Sequence, residues 1–209
     1  MTAPDLRTAG RTALLATFDS LPDVVAFRTG LAAVPVPGLT EVVSGARTLL
    51  LRFDPATTDA VRLRADLQRV APVAAATAVD GAPLVVPVVY DGEDLDAVTD
   101  LTGMSPDELV AWHTSQVWTS AFCGFAPGFS YLTGSEPPLD LPRRPSSRTA
   151  VPSGSVALAG EFSAVYPRVS PGGWQLIGRT TVPMWSLDRD PPALAPAGTR
   201  VRFVDAGRA

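Results

Sequence analysis

The chain has 209 residues, of which 46% are hydrophobic and 18% charged, with a formal net charge of −4. This is the composition of a globular protein able to bury a sizeable core in one large domain or two small ones. All seventeen basic residues are arginine, and His113 and Cys123 are the only residues of their types. Without lysine there is no Walker-A lysine, Schiff-base lysine, Ser-Ser-Lys amidase centre or biotinyl-lysine, because guanidinium cannot replace a primary amine of adjustable pKa. One cysteine and one histidine exclude an internal disulfide and a Cys/His metal cluster drawn from this chain.

In chain order, TALLATF (12–18) reads as a strand, and LPDVVAFRTGLAAV (21–34) as a helix opened by Pro22. EVVSGARTLLLRF (41–53) reads as two strands around Ser44-Gly45. DPATTDAVRLRADLQRV (54–70) predicts a helix capped by Asp54 with Pro55 at its first position, Leu63, Leu67 and Val70 falling on one face. APLVVPVVY (82–90) predicts a further strand, with Pro87 arguing for an edge or bulge. The order β-α-β-β-α-β predicts a ferredoxin-like α/β domain over residues 1–84, with the Ala/Pro/Gly-rich stretch 71–83 as a hinge.

Asp94 is placed to cap a short helix ending at Gly103, and Ser105, Pro106 and Glu108 form the signature of a capping box. That second helix carries His113 towards its C-terminal end. Beyond residue 115 short apolar runs broken by Gly and Pro (SVALAG, FSAVYPRV, WQLIGRTTVPMW, TRVRFVDAG) predict a compact β-barrel or sandwich over 85–209. The fold class is therefore α+β. Neither a signal-peptide pattern nor the roughly 18 apolar residues of a membrane span is found, so a cytoplasmic protein without membrane contact is expected.

Charge is distributed unevenly. Residues 70 to 142 contain ten carboxylates and no arginine, whereas 143 to 209 contain nine arginines and four carboxylates. The acidic overall balance argues against nucleic acid and favours a small anionic ligand or an acidic partner.

Candidate functional residues follow from three motifs. FCGFAPGFSYLTG (122–134) combines Phe125, Phe129 and Tyr131 with recurrent glycine, which suits an aromatic wall where the backbone passes close to a ligand. SPGGWQLIGRT (170–180) offers a turn at Ser170, Pro171, Gly172 and Gly173 whose N–H groups suit anionic oxygens, followed by Trp174 and Arg179. LPRRPSSRTAVPSGS (141–155) adds Arg143, Arg144 and Arg148 in a proline-punctuated loop. His113 is the one side chain whose unperturbed pKa lies near neutrality, and so the default general base, although a histidine at a helix C-terminus also serves the dipole. Cys123 reads as a small hydrophobe.

These motifs, with HTSQVW (113–118), VPSGSVALAG (151–160) and YP (166–167), resemble the family of the B subunit of bacterial ATP-dependent 5-oxoprolinase. That family is also labelled allophanate hydrolase subunit 1 and includes the Kip-type inhibitor of a sporulation histidine kinase. The resemblance runs over nearly the whole chain, with YDGEDLDAVTDLTGMSPDELVAWH (90–113) leading into the barrel and RTLLLRFDP (47–55) in the N-terminal part. It implies that the barrel is cyclophilin-like and that the chain acts only with two further polypeptides, a cyclophilin-like C subunit plus an A subunit. The implied reaction is the ATP-dependent opening of 5-oxoproline to glutamate through a phosphorylated amide oxygen, with ATP and Mg at the level of the complex.

On matched positions the resemblance implies catalytic roles for His113, Tyr131 and Arg179. It implies substrate binding by Phe125, Phe129, Arg144, Arg148, Ser155, Ser170, Gly172, Gly173 and Trp174. The sequence departs from the family pattern at Trp118, Ser147, Phe162 and Ala164, where Tyr, Pro, Gln and Gly are expected. Two other functions stay open on the same resemblance, a carboxyltransferase component of a urea carboxylase and a binding module that inhibits a histidine kinase.

Overall fold

Leu14 and Ala16 are buried in one strand, and Leu49, Leu51 and Phe53 in another, while alternate residues turn away. This period of two places one face of an antiparallel sheet against a core. The computed structural model describes residues 4–73 and 82–207, divided between two units, Met1–Thr77 and Ala78–Ala209. Most of the expected hinge, residues 74–81, lies outside the described residues.

The first unit runs β1 (Asp5–Thr8), β2 (Ala13–Thr17), α1 (Leu21–Ala32), β3 (Leu39–Ser44), β4 (Thr48–Phe53) and α2 (Ala60–Leu67). Its sheet has the order β1-β2-β4-β3, antiparallel throughout. Val24, Phe27 and Leu31 of α1, with Leu63 and Leu67 of α2, close over the buried strand faces. Ser20 caps α1 by accepting from the Asp23 N–H.

Two expectations are corrected here. The second helix begins at Ala60 because Asp59 caps it, accepting from the Val61 and Arg62 N–H groups at 2.9 Å each; Asp54 instead organises a turn through the Ala56 N–H. The strand in 82–90 is not the last strand of this sheet. Its place at the β2 edge is taken by β1, so the ferredoxin-like arrangement is not completed.

That strand, β5 (Leu84–Val88), belongs to the second unit. There follow α3 (Leu95–Thr102), α4 (Pro106–Ser115), β6 (Trp118–Cys123), β7 (Ser130–Thr133), β8 (Arg148–Val151), β9 (Ser155–Ala159), β10 (Phe162–Val165), β11 (Ser170–Gly172), β12 (Gln175–Arg179) and β13 (Arg200–Asp205). The capping box at Ser105 and Glu108, and the left-handed Gly103 that ends α3, are as the sequence predicts. Seven strands form one sheet in the order β12-β9-β10-β7-β6-β13-β5, with β5 parallel to β13. The two edges meet where Val89 and Arg179 exchange N–H to C=O bonds of 2.9 Å, which nearly closes the sheet into a barrel.

Closure requires backbones to approach at that seam. A Cβ on Gly92 would overlap the Leu176 carbonyl oxygen and the Gly178 nitrogen, and one on Gly178 would overlap the Val89 carbonyl oxygen. Neither obstacle is a flexible side chain, so the seam itself would have to open.

Alternation along the barrel strands builds two layers. Val156 and Leu158, Val165, Leu132 and Ile177 face the barrel interior with Trp118 and Phe203. Their neighbours Ala157, Ala159, Ala164 and Leu176 face outward and are buried again, under Phe129, Tyr166, Trp174 and Val151. Small alanines on the outer wall leave room for the rings. Gly92→Ala and Gly178→Ala should each lower stability by about 2 kcal/mol or more, as expected for overpacking against backbone, read as a drop in the urea midpoint.

Candidate functional site

The outer layer is aromatic. β6 and β7 form a hairpin whose loop carries Phe125, and Phe122 stacks on Tyr131 with ring centroids 4.3 Å apart. Phe129 is central, edge-on to Tyr131 (5.1 Å), Tyr166 (5.2 Å) and Trp174 (5.5 Å). Phe162 meets Phe122 and Tyr131 edge-on, so an aromatic departure from the family pattern extends the same layer. These offset and edge geometries are the favourable ones for ring quadrupoles.

Phe129, Tyr166 and Trp174 are buried, Tyr131 and Phe162 are half-buried, and Phe125 is 58% exposed at the lip. Phe125 also has φ of +67°, a left-handed conformation that bulky residues rarely adopt. Such strain is typical of a residue held in place for a purpose. Here it turns an aromatic ring outward against Phe129 and Tyr166.

Burial raises the Tyr131 phenol above its ordinary pKa, opposed by the charge of Arg143. Burial likewise raises Tyr166, opposed by the Trp174 backbone N–H and by Arg143 and Arg148. Both phenols therefore stay protonated at neutral pH and are O–H donors.

The arginines behave differently from the expectation. Arg148 binds Asp94 (2.8 Å) and Glu93 (3.1 Å), Arg144 binds Asp94, and Arg179 binds Asp91 (2.8 Å). Asp94 is 2% exposed and also accepts the Leu176 N–H at 2.7 Å, so its carboxylate is not the helix cap that the sequence suggests. Burial alone would raise its carboxyl. The hydrogen bonds from Arg148 and the Leu176 N–H and the charges of Arg148 and Arg144 outweigh that and hold it below the usual carboxylate range.

The SPGG segment is not a left-handed nest. Ser170–Gly172 is strand β11, paired with β8, and neither Gly172 nor Gly173 has positive φ. Glycine is favoured at 172 by proximity, since a Cβ there would strike the buried Tyr166 hydroxyl, whereas one on Gly173 would meet only the Ser147 hydroxyl, which can rotate away. The Ser170 hydroxyl donates to the Arg168 carbonyl, and Ser155 is buried within β9.

His113 lies inside the barrel, fully buried. Nδ1 pairs with the Tyr90 hydroxyl at 2.7 Å, Nε2 with the Ser163 hydroxyl at 2.9 Å, and the ring stacks on Phe203 at 4.4 Å. Burial lowers its pKa to about 3. It is a neutral core histidine with both nitrogens occupied, and its expected catalytic role is corrected on that ground.

The structure thus brings Phe125, Phe129, Tyr131, Trp174 and Gly172 together, with Tyr166 as a further member. It leaves His113 and Ser155 in buried positions, and Arg144, Arg148 and Arg179 in ion pairs. The acidic DGED segment (91–94) that neutralises these arginines was missed as a site element. The only signal for it was the excess of carboxylates before residue 143 and of arginines after it.

Comparison with known proteins agrees with this architecture. Residues 4–195 match the family model of the carboxyltransferase domain, subdomain C and D, and the chain belongs to that family. It is 42% identical over 122 residues to the B subunit of 5-oxoprolinase from Bacillus subtilis (strain 168), covering 57% of this chain and 51% of that protein. Over 122 residues it is 43% identical to the B subunit of 5-oxoprolinase from Escherichia coli O157:H7, covering 57% and 56%. These alignments span little more than half the length of the curated relatives.

Among solved structures, TTHA0988 has 34% identity and a TM-score of 0.76, over 97% of this chain and 41% of that one. PH0987 from Pyrococcus horikoshii, a conserved uncharacterized protein, has 29% identity and a TM-score of 0.58, over 97% and 98%. The K. lactis urea amidolyase shares the fold, with a TM-score of 0.73 at 18% identity over 98% of this chain and 15% of that one.

Two measurements test the site's electrostatics. Below about pH 6.5 the unfolded chain protonates His113, whereas the folded chain stays neutral until about pH 3. Stability should therefore fall as pH drops through this window, by about 1.4 kcal/mol per pH unit from this group, with no contribution above it. Urea titrations from pH 6.5 to 5 should show a shallower slope for His113→Gln. Asp94→Asn, which strips the buried charge from two guanidiniums, should cost about 3 kcal/mol in the same titration at pH 7.

Proposed function

We propose that this chain is the B subunit of an ATP-dependent 5-oxoprolinase, a non-autonomous component that opens the lactam of 5-oxoproline to glutamate together with its C and A partners. The observation that carries this reading is the identity of 42% and 43% to proteins named as 5-oxoprolinase B subunits. The site's chemistry is compatible with it. A small flat lactam suits an aromatic face, and the protonated phenol of the half-buried Tyr131 would donate to a carbonyl oxygen as it gains negative charge. Oxygen donors preorganised in a desolvated layer stabilise such charge without having to reorient.

ATP with Mg would enter at the level of the complex. The described residues of this chain do not fit a nucleotide, because Arg144, Arg148 and Arg179 are already neutralised and the Ser170–Gly173 segment is paired strand. No step through ATP is assigned to this chain. The cytoplasmic setting expected from the sequence suits such a complex, and among the described residues no helix is long and apolar enough to cross a membrane.

A second reading, carboxyl transfer, is favoured by the description of the family itself. A chain without lysine would need biotin carried on another chain.

Reconstitution separates the two readings. The chain with its C and A partners should form glutamate from 5-oxoproline only when ATP is present, and omission of this chain should abolish turnover. Tyr131→Phe should lower kcat by about a hundredfold to a thousandfold, the loss of one oxyanion donor. Biotin-dependent carboxylation by the same complex without glutamate would replace this reading with the second.

A further inference from the structure

The three arginines of the 141–148 segment have unlike surroundings. Arg144 and Arg148 are spent on Asp94 and Glu93, whereas Arg143 is exposed and has no carboxylate partner among the described residues. Its backbone is fixed on both sides. The Arg144 N–H donates to the Gly173 carbonyl at 2.8 Å, and the Gln175 side chain donates to the Pro142 carbonyl at 3.0 Å. Arg143 is thereby held alongside the segment that carries Trp174, within electrostatic reach of both the Tyr131 and Tyr166 phenols.

Arg148 Nη1 and Arg144 Nε are buried and have no hydrogen-bond acceptor among the described residues. Arg148 also acts electrostatically on the Tyr166 phenol. Being buried, the two guanidinium nitrogens are closed to a ligand, which leaves Arg143 as the exposed guanidinium of the segment. The half-buried Tyr131 phenol and the exposed, unpaired Arg143 guanidinium beside an aromatic face are suited to a carboxylate attached to a small ring.

We propose that Arg143 anchors the carboxylate of a small five-membered ring acid whose ring lies against the half-exposed face of Tyr131 and Phe162. The proposal rests on the 5-oxoprolinase reading for the identity of that acid and narrows it. The carboxylate end is held by Arg143, and the lactam end is left to the remaining donors. In this role Arg143 is a binding residue, and its effect falls on affinity and on the discrimination between charged and neutral rings.

The test is isothermal titration of the chain, alone and assembled with its C and A partners. The probes are 5-oxoproline, the neutral lactam 2-pyrrolidinone, and cyclopentanecarboxylate, a ring acid without a lactam. 2-Pyrrolidinone should bind at least tenfold more weakly than 5-oxoproline. Arg143→Ala should weaken both acids about tenfold or more, consistent with loss of a charge-assisted hydrogen bond, and leave 2-pyrrolidinone unchanged. Arg143→Lys should recover part of the loss, since it keeps charge and not the planar fork.

A purely structural effect would weaken all three probes alike and would overturn the proposal. Acid binding that is insensitive to Arg143→Ala, or absent from both chain and complex, would also overturn it. If the complex still turned over 5-oxoproline in those cases, the functional reading would survive without the anchor. Arg143-dependent binding of cyclopentanecarboxylate with rejection of 5-oxoproline would instead keep the anchor and remove the 5-oxoprolinase reading.

Discussion

The second unit is organised around one buried carboxylate. Asp94 exchanges backbone and side-chain bonds with Leu176, giving its own N–H to the Leu176 carbonyl at 2.9 Å and accepting the Leu176 N–H at 2.7 Å. It also holds Arg144 and Arg148. One side chain thus fastens the start of α3, the edge strand β12 and the 141–148 segment to one another. A buried ion pair is not by itself a source of net stability, because desolvation offsets its Coulomb energy. What Asp94 supplies is a unique arrangement: any other placement of this segment would leave a buried charge without a counter-ion.

That fixed arrangement is what permits the aromatic layer. β9 is buried along its whole length, which only a strand covered on both faces can be. Its inner residues fill the barrel and its outer alanines receive Phe129, Tyr166 and Trp174. The cover on the far side includes Val151 of β8, the strand that begins at Arg148. The Asp94 ion pairs at one end of this strand and the ring packing at the other are therefore parts of one assembly.

How much of this was legible in the sequence depended on the range of the interaction. Local rules placed the capping box of α4, the glycine end of α3 and most barrel strands, since each needs only neighbours within a few positions. β1 escaped because an exposed edge strand has no apolar alternation to betray it. The destination of β5 escaped because a strand pattern does not name its sheet, and its partner β13 lies at the other end of the unit. Asp54 was mistaken for a cap because Asp59, five positions on, competes for the same role with better-placed N–H groups. At the site, the aromatic wall was legible from FCGFAPGFSYLTG, whose members meet through one hairpin. The fate of the arginines was not, because Arg144 and Arg179 find their carboxylates 50 and 88 residues earlier in the chain. His113 was read from its pKa class, and only tertiary packing could reveal that Tyr90 and Ser163 enclose it.

The charge balance of this face constrains what it can bind. Arg144 and Arg148 are matched by Glu93 and Asp94, and Arg179 by Asp91, so three guanidiniums meet three carboxylates and cancel. A polyphosphate would have to displace Asp94 from its pairs and from the Leu176 N–H, exposing a buried carboxylate to a like charge. A monoanion need displace nothing, because Arg143 is left over from that cancellation. An aromatic surface beside the unpaired Arg143 therefore suits a small ring with one negative charge better than a polyphosphate.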